Sequence, residues 1–222
     1  MSSFDFGYMI ELFPILFKYL ATTMEMAAIA AIFALILALI LALVRVFKLP
    51  VLNQFSVVFI SFFRGTPLLV QLFILYYGLP QLFPFMIGID AFSASVIGLS
   101  LHFAAYKAES IRAAITSINN SQWDASYAFG MTRIQALQRI ILPQALRTAL
   151  PSLMNYLIDM IKSTSLAFTL GVAEIMAKAQ MEASSSFKFF EAFLAVALIY
   201  WAVVAVFTQV QNLAEKRLAK AY

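Results

Sequence analysis

The run from Met26 to Val44, MAAIAAIFALILALILALV, contains no charged residue, no proline and no glycine. A helix rises 1.5 Å per residue, so roughly 20 residues cross about 30 Å of hydrocarbon. The run therefore reads as a membrane-spanning helix, extending back past Glu25 to about Tyr19. Outward from it, Ala192 to Ala214 is a second uncharged run, and three further runs are interrupted. One is broken by Arg64, Gly65, Thr66 and Pro67, one carries Lys107 and Glu109, and one contains Asp159 and Lys162. Five spans follow, at about 19–44, 55–79, 91–114, 149–172 and 192–214, within one transmembrane domain over 1–222. Composition agrees: 63% of the 222 residues are hydrophobic and 12% charged, about half the charge of a soluble domain. No stretch alternates like a barrel strand, and backbone groups in lipid must pair internally, so the expected fold is an all-α integral membrane protein.

The placement of cations gives an orientation. Arg45 and Lys48 follow the first span, Arg112, Arg133, Arg139 and Arg147 the third, and Lys216, Arg217 and Lys220 the fifth. Only Lys18, Lys178 and Lys188 fall on the other side, and Arg64, Lys107 and Lys162 lie within spans. The positive-inside rule puts the amino terminus outside and the carboxyl terminus in the cytoplasm. A net charge of +4 is thus a topology signal, and no nucleic-acid partner is expected. The first ten residues lack Lys and Arg, so a cleavable signal is not expected. Without cysteine there is no disulfide or thiolate metal site, and a single histidine, His102, excludes a His-rich one. No internal repeat is visible, which argues against a carrier built from two inverted halves.

The connection from about 115 to 148 is patterned more strongly than a linker requires. Ser121-Gln122-Trp123-Asp124 fits a Ser-x-x-acid capping box at a helix start, and Gly130 can end that helix in the left-handed conformation. Thr132 can cap a second helix with Ile134, Leu137, Ile140 and Ile141 on an apolar stripe, expected to stop near Leu142-Pro143. Two short helices about a glycine corner make either a rigid knob or an interfacial helix lying on the lipid.

The spacing of Asp124-Ala125-Ser126, Gly130, Ile140, Leu142 and Pro143 resembles the EAA loop of ABC importer permeases: Glu-Ala-Ala, three residues, Gly, nine residues, Ile-x-Leu-Pro. Asp replaces Glu and Ser replaces the second Ala. Arg64 to Phe73, Ala104 to Arg112 and Lys162 to Leu166 are similar to segments of the polar amino acid branch, although Lys107 stands where a small or neutral residue is more usual. Two stretches, Tyr76 to Gln81 and Ala167 to Glu174, look most like cystine permeases. The resemblance implies a methionine-permease-like fold and a dimer with a second permease subunit, identical or different. It also implies two copies of an ATPase subunit, an extracytoplasmic solute-binding protein and residence in the bacterial cytoplasmic membrane. In such permeases the EAA loop docks on the ATPase, which makes those seven residues the expected coupling site. No G-x-x-x-x-G-K-[ST] occurs, so ATP and Mg belong to the partner and this chain is not itself an enzyme.

Ionisable and amide groups in the spans are the candidates for a substrate pathway. Arg64, beside Gly65-Thr66-Pro67, suits a carboxylate bidentately or acts as a structural lock. Asp159 would complement it against a zwitterion; with Thr66, Gln71, Tyr106 and Asn155 these make the candidate set. Asp159 and Lys162, and Glu109 and Arg112, are three apart and are expected to pair. Tyr76 and Tyr77 suit a passage lining or an interfacial belt, and His102 a hydrogen-bonded packing role. The residues from Glu174 to Glu191 are expected on a solvated outer face that, with the 80–91 loop, would receive the binding protein. The alternative function is an ion-coupled secondary transporter or channel that needs no ATPase. A membrane enzyme is disfavoured, since neither a Ser-His-acid nor an HExxH pattern is present.

Overall fold

The structure, a computed structural model, describes residues 4–219. Lys220, one of the cations behind the expected orientation, lies outside the described residues. The described residues contain helices and no strand. The first helix, α1, runs from Phe6 to Phe47, about 63 Å at 1.5 Å per residue. It begins well before the expected boundary at residue 19 because Asp5 caps it, its carboxylate accepting from Tyr8 N at 2.9 Å. It ends where Lys48 turns left-handed at φ 50°.

Helix α2 (Leu52–Gly65) meets α3 (Leu68–Phe73) and α4 (Leu79–Leu82) at a 112° bend. Thr66 and Pro67 at the bend are extended, as the proline requires. The expected second span is therefore two arms at a corner. Helix α5 (Ala91–Ser117) follows, with Asp90 as its cap. The connection holds α6 (Asn120–Ala128) and α7 (Arg133–Ala136), and α8 spans Leu142–Ser163. Past a 3-10 segment, Thr164–Leu170, come α9 (Ile175–Ser186) and α10 (Phe189–Ala219). By length and composition α1 and α10 can each cross a membrane, and two bent pairs can do so if each pair counts as one span.

Two π-helical turns, Ile74–Gly78 and Leu137–Ile141, each precede a Leu-Pro step. In each the leucine N–H bonds five residues back, Leu79 to Ile74 O and Leu142 to Leu137 O. The wider turn admits Pro80 and Pro143 without stopping the helix. The expected end near Leu142-Pro143 is thus overturned: α7, the π turn and α8 form one helical run.

Packing rests on small residues. Ala30, Ala34 and Ala38, one turn apart and buried, let α1 lie closely along α5. Gly98 on α5 meets α3, where an added Cβ would sit 2.5 Å from Leu72 Cδ2. Three apolar clusters result: one joining α1, α3 and α5 to the end of α8 and the 3-10 segment, one joining α1, α5 and the 133–149 helical run, and one joining the start of α1 to α9 and α10.

The third cluster corrects the expected solvated face between Glu174 and Glu191. Glu174 is 0% exposed; it caps α9 by accepting from Ala177 N at 2.8 Å, and it takes Thr23 Oγ1 at 3.4 Å and Tyr200 Oη at 3.3 Å. Glu191 is buried too and accepts from Asp5 N. The connection became a helix because Ile175, Ala179 and Ala183 form an apolar stripe for α1.

Candidate functional site

Helix α6 starts at Asn119, whose side chain accepts from Ser121 N at 2.9 Å. The expected box on Ser121 and Asp124 is not formed; Asn is as good a cap as Ser and precedes it. Asp124 and Ala125 are exposed, whereas Ser126 is buried and donates to Gln122 O. At the far end Met131 N bonds Ser126 O and Gly130 N bonds Tyr127 O, the paired bonds of a Schellman ending. Gly130 has φ +76°, and nothing lies within 4 Å of an added Cβ. The glycine is needed for its backbone conformation, not for space.

Thr132 then forms a capping box: Gln135 N to Thr132 Oγ1 at 3.3 Å, and Thr132 N to Gln135 Oε1 at 2.8 Å. Leu137 and Ile141 are buried as expected, continued by Ala145 and Ala149, and they pack on Ile111 and Ile115 of α5 and Leu41 of α1. Ile140 and Leu142 pack on the same cluster at its edge, and Pro143 is exposed. Ile134, expected on this stripe, is 61% exposed, and Ala136 takes the buried position. Phe129, at the corner beside Gly130, is 85% exposed. The segment is thus anchored along one side and bare at its tip.

The candidate membrane residues fall into two groups. Gln71, buried, donates to Phe63 O, Thr66 O and Thr66 Oγ1 at 3.0, 3.0 and 2.8 Å, which ties the α2–α3 corner. Its carbonyl meets His102 Nδ1 at 2.9 Å, so His102 is hydrogen-bonded as expected. The Arg64 guanidinium lies 5.6 Å from the Tyr106 ring centre, and Tyr106 Oη donates to Arg64 O at 3.4 Å. Arg64, Thr66, Gln71 and Tyr106 are therefore neighbours. Asn155 and Asp159 lie on exposed positions of α8; Gln211 of α10 donates to Asn155 Oδ1 at 3.1 Å, and Lys162 pairs with Asp159 at 2.7 Å. Arg64 and Asp159 form no ion pair with each other among the described residues.

Glu109 pairs with Arg112, as expected, and also faces Arg45 at 3.9 Å. Sequence reading missed Tyr156 and Ser110, which join the first group to α8: Tyr156 lies 5.7 Å from Tyr106, and Ser110 Oγ is 3.5 Å from Tyr156 Oη. The signal was present, since His102, Tyr106 and Ser110 recur every four residues, one stripe on α5.

The glycine-cornered tip is bare, and the helical run after it continues into the bundle. Residues 34–220 match the family described as the binding-protein-dependent transport system inner membrane component. The chain belongs to that family. It is a membrane translocation component and not itself an enzyme, working in systems that take their name from a separate binding protein. Over 99% of this chain and 98% of the other, it is 75% identical to the probable amino-acid ABC transporter permease protein PatM of Vibrio harveyi. The probable amino-acid permease protein YxeN of Bacillus subtilis is 51% identical over 100% of this chain and 99% of that one. The L-cystine transport system permease protein TcyL, also of Bacillus subtilis, is 40% identical over 98% and 93%. A crystal structure of an amino acid ABC transporter with histidines superposes with a TM-score of 0.89 at 32% identity, covering 97% of this chain and 100% of that one.

Proposed function

We propose that the chain is the permease subunit of an ATP-driven importer for polar amino acids, with five spans, the amino terminus outside and the carboxyl terminus in the cytoplasm. It would work as a dimer with a second permease subunit, two ATPase subunits that hold ATP and Mg, and an extracytoplasmic binding protein. The observation that carries the reading is the unbroken helical run from Thr132 through the π turn into α8. A partner that engages Asp124, Ala125, Ser126 and Gly130 and moves the corner moves a stiff rod. Ile140, Leu142 and Pro143 lie along that rod, and Asn155, Tyr156 and Asp159 lie further along it. ATPase closure would then tilt α8 against α5 and open or close a path beside Arg64, Thr66, Gln71 and Tyr106. Arg64, which forms no ion pair among the described residues, would receive a substrate carboxylate.

Cystine is the substrate we favour, on the stretches Tyr76 to Gln81 and Ala167 to Glu174 and on likeness to a cystine permease. The test is reconstitution with the ATPase and binding protein encoded beside it, with uptake measured for a panel of amino acids. ATP-dependent uptake of cystine above the others supports the full reading. Uptake of another polar amino acid overturns only the substrate; uptake driven by an ion gradient without the ATPase overturns the function.

A further inference from the structure

Lys107 sits on α5 with 4% of its surface exposed, and among the described residues its amine forms no hydrogen bond or ion pair. An isolated ammonium in hydrocarbon is costly, and charged residues inside a bundle are normally paired. Arg45, Glu109 and Arg112 are occupied with one another. Lys107 opens instead into a groove of about 280 Å³ between α1 and α8, at the small end of ligand cavities. The walls are Ile32 and Leu35 from α1 and Leu150, Leu153, Met154 and Leu157 from α8. Every wall is aliphatic or thioether, and none offers a carboxylate.

Three observations fix what suits this groove. Ile32 and Leu35 stand in the middle of the uncharged run Met26 to Val44, so the amine is far in depth from where phospholipid phosphates lie. Ile32, Phe33, Ile36 and Ile40 on the adjoining face of α1 are exposed, so the groove opens onto surface fit for acyl chains. The leucines of α8 point nearly opposite to its exposed polar positions Asn155, Asp159 and Lys162, at 3.6 residues per turn. The groove is thus separate from the proposed substrate path.

We propose that this groove binds a free fatty acid, its carboxylate pairing with Lys107 and its chain lying between α1 and α8. A carboxylic acid can enter hydrocarbon as the neutral acid, which a phosphodiester cannot do at neutral pH. There the acid's proton passes to the neutral Lys107 amine, and the resulting ammonium and carboxylate form a charge-assisted hydrogen bond that water does not screen. The proposal does not depend on the identity of the transported solute.

The experiment uses the full chain, purified with its partner subunits into nanodiscs and labelled with a photoreactive palmitic acid. Label is expected on peptides holding residues 32–35 and 150–157, competed by oleate and not by methyl oleate or phosphatidylglycerol. Lys107→Met, which keeps the length and removes the charge, is expected to cut specific labelling roughly tenfold or more. Equal competition by methyl oleate would mean that the groove merely dissolves chains, and preferential competition by phosphatidylglycerol would assign it to a phospholipid. A crosslink from the groove to an acidic side chain of a neighbouring subunit would give Lys107 a protein partner. Each of these results overturns the proposal, as does undiminished labelling of folded Lys107→Met. If that variant does not fold, the wild-type comparison of oleate with methyl oleate decides by itself.

Discussion

The connection between α5 and α8 and the connection between α8 and α10 are both short helical links, and they are built in opposite ways. In the first, the chain turns at Gly130 with Phe129 and Ile134 bare, and the hydrogen bonds at the corner stay within the segment itself. In the second, Glu174 is sealed under Thr23 and Tyr200, Tyr8 Oη reaches Ser186 Oγ at 2.9 Å, and Lys188 grips Asp5 at 2.6 Å. The first is bare at its tip and stiff within itself, which is what the proposed coupling role asks of it. The second ties the start of α1 to α9 and α10 and has little freedom to move on its own. The proposed lever and the clamp thus sit at the two ends of α8.

The largest expected effect comes from breaking the lever. Gly130→Val forces a β-branched residue into positive φ, and even an ordinary residue there costs about 1–2 kcal/mol. The expected result is loss of ATP-dependent uptake and of transport-coupled ATP hydrolysis, with membrane insertion retained. Gly130→Ala should keep part of both, since space is open at that Cβ. Uptake by Gly130→Val at the wild-type rate would remove the lever from the mechanism.

Next is the clamp. Glu174→Ala takes the acceptor from Ala177 N, Thr23 and Tyr200 and leaves a buried gap, so a loss of about 1–3 kcal/mol is expected. It should appear as a lower melting temperature in detergent, while uptake per folded molecule changes little. A coupling defect with unchanged stability would reverse the roles assigned to the two connections.

Asp159→Asn sharpens the comparison along α8. Its ion pair with Lys162 is about half exposed on both sides, so the stability change should stay within about 1 kcal/mol. A raised half-saturation concentration for uptake, with the melting temperature unmoved, would place Asp159 on the substrate path. Unchanged uptake would leave it a surface pair.

The smallest effect is the pH response of the outer clamp. Lys188 and Tyr8 N hold the Asp5 carboxyl below its ordinary 3.8, and Asp5 holds the Lys188 amine above its ordinary 10.5. The lowered carboxyl contributes above pH 3.8 and is lost as pH falls through its folded value. The raised amine contributes fully below pH 10.5 and is lost as pH rises through its own. Thermal stability attributable to this pair should therefore be flat between those limits, and Asp5→Asn should remove both flanks. A dependence on this pair near neutral pH would contradict the assignment.

Much of the segment between α5 and α8 was legible because its signals are local. A positive-φ glycine, a Thr cap and an Ile/Leu stripe each act within one or two turns. The misreadings were also local in cause. Asn119 competes with Ser121 for the same cap, and a Leu-Pro step ends a helix unless a π turn widens it for the ring. Glu174 and Glu191 were misplaced because their burial depends on Thr23, Tyr200 and the start of α1, far away in sequence. Tyr156 and Ser110 were missed for the same reason, although the four-residue spacing from His102 to Ser110 was in plain view.

Sequence by itself determined that the chain is helical and suited to lipid, where its glycine corner lies and which connections carry the cations. These follow from residue type and spacing, which act over a few turns. Tertiary structure alone decided that Arg64 neighbours Tyr106, that Glu109 also meets Arg45, and that Lys107 faces a groove with no counter-charge. Which charges meet depends on how separate helices cross, and no periodicity within one helix encodes that crossing.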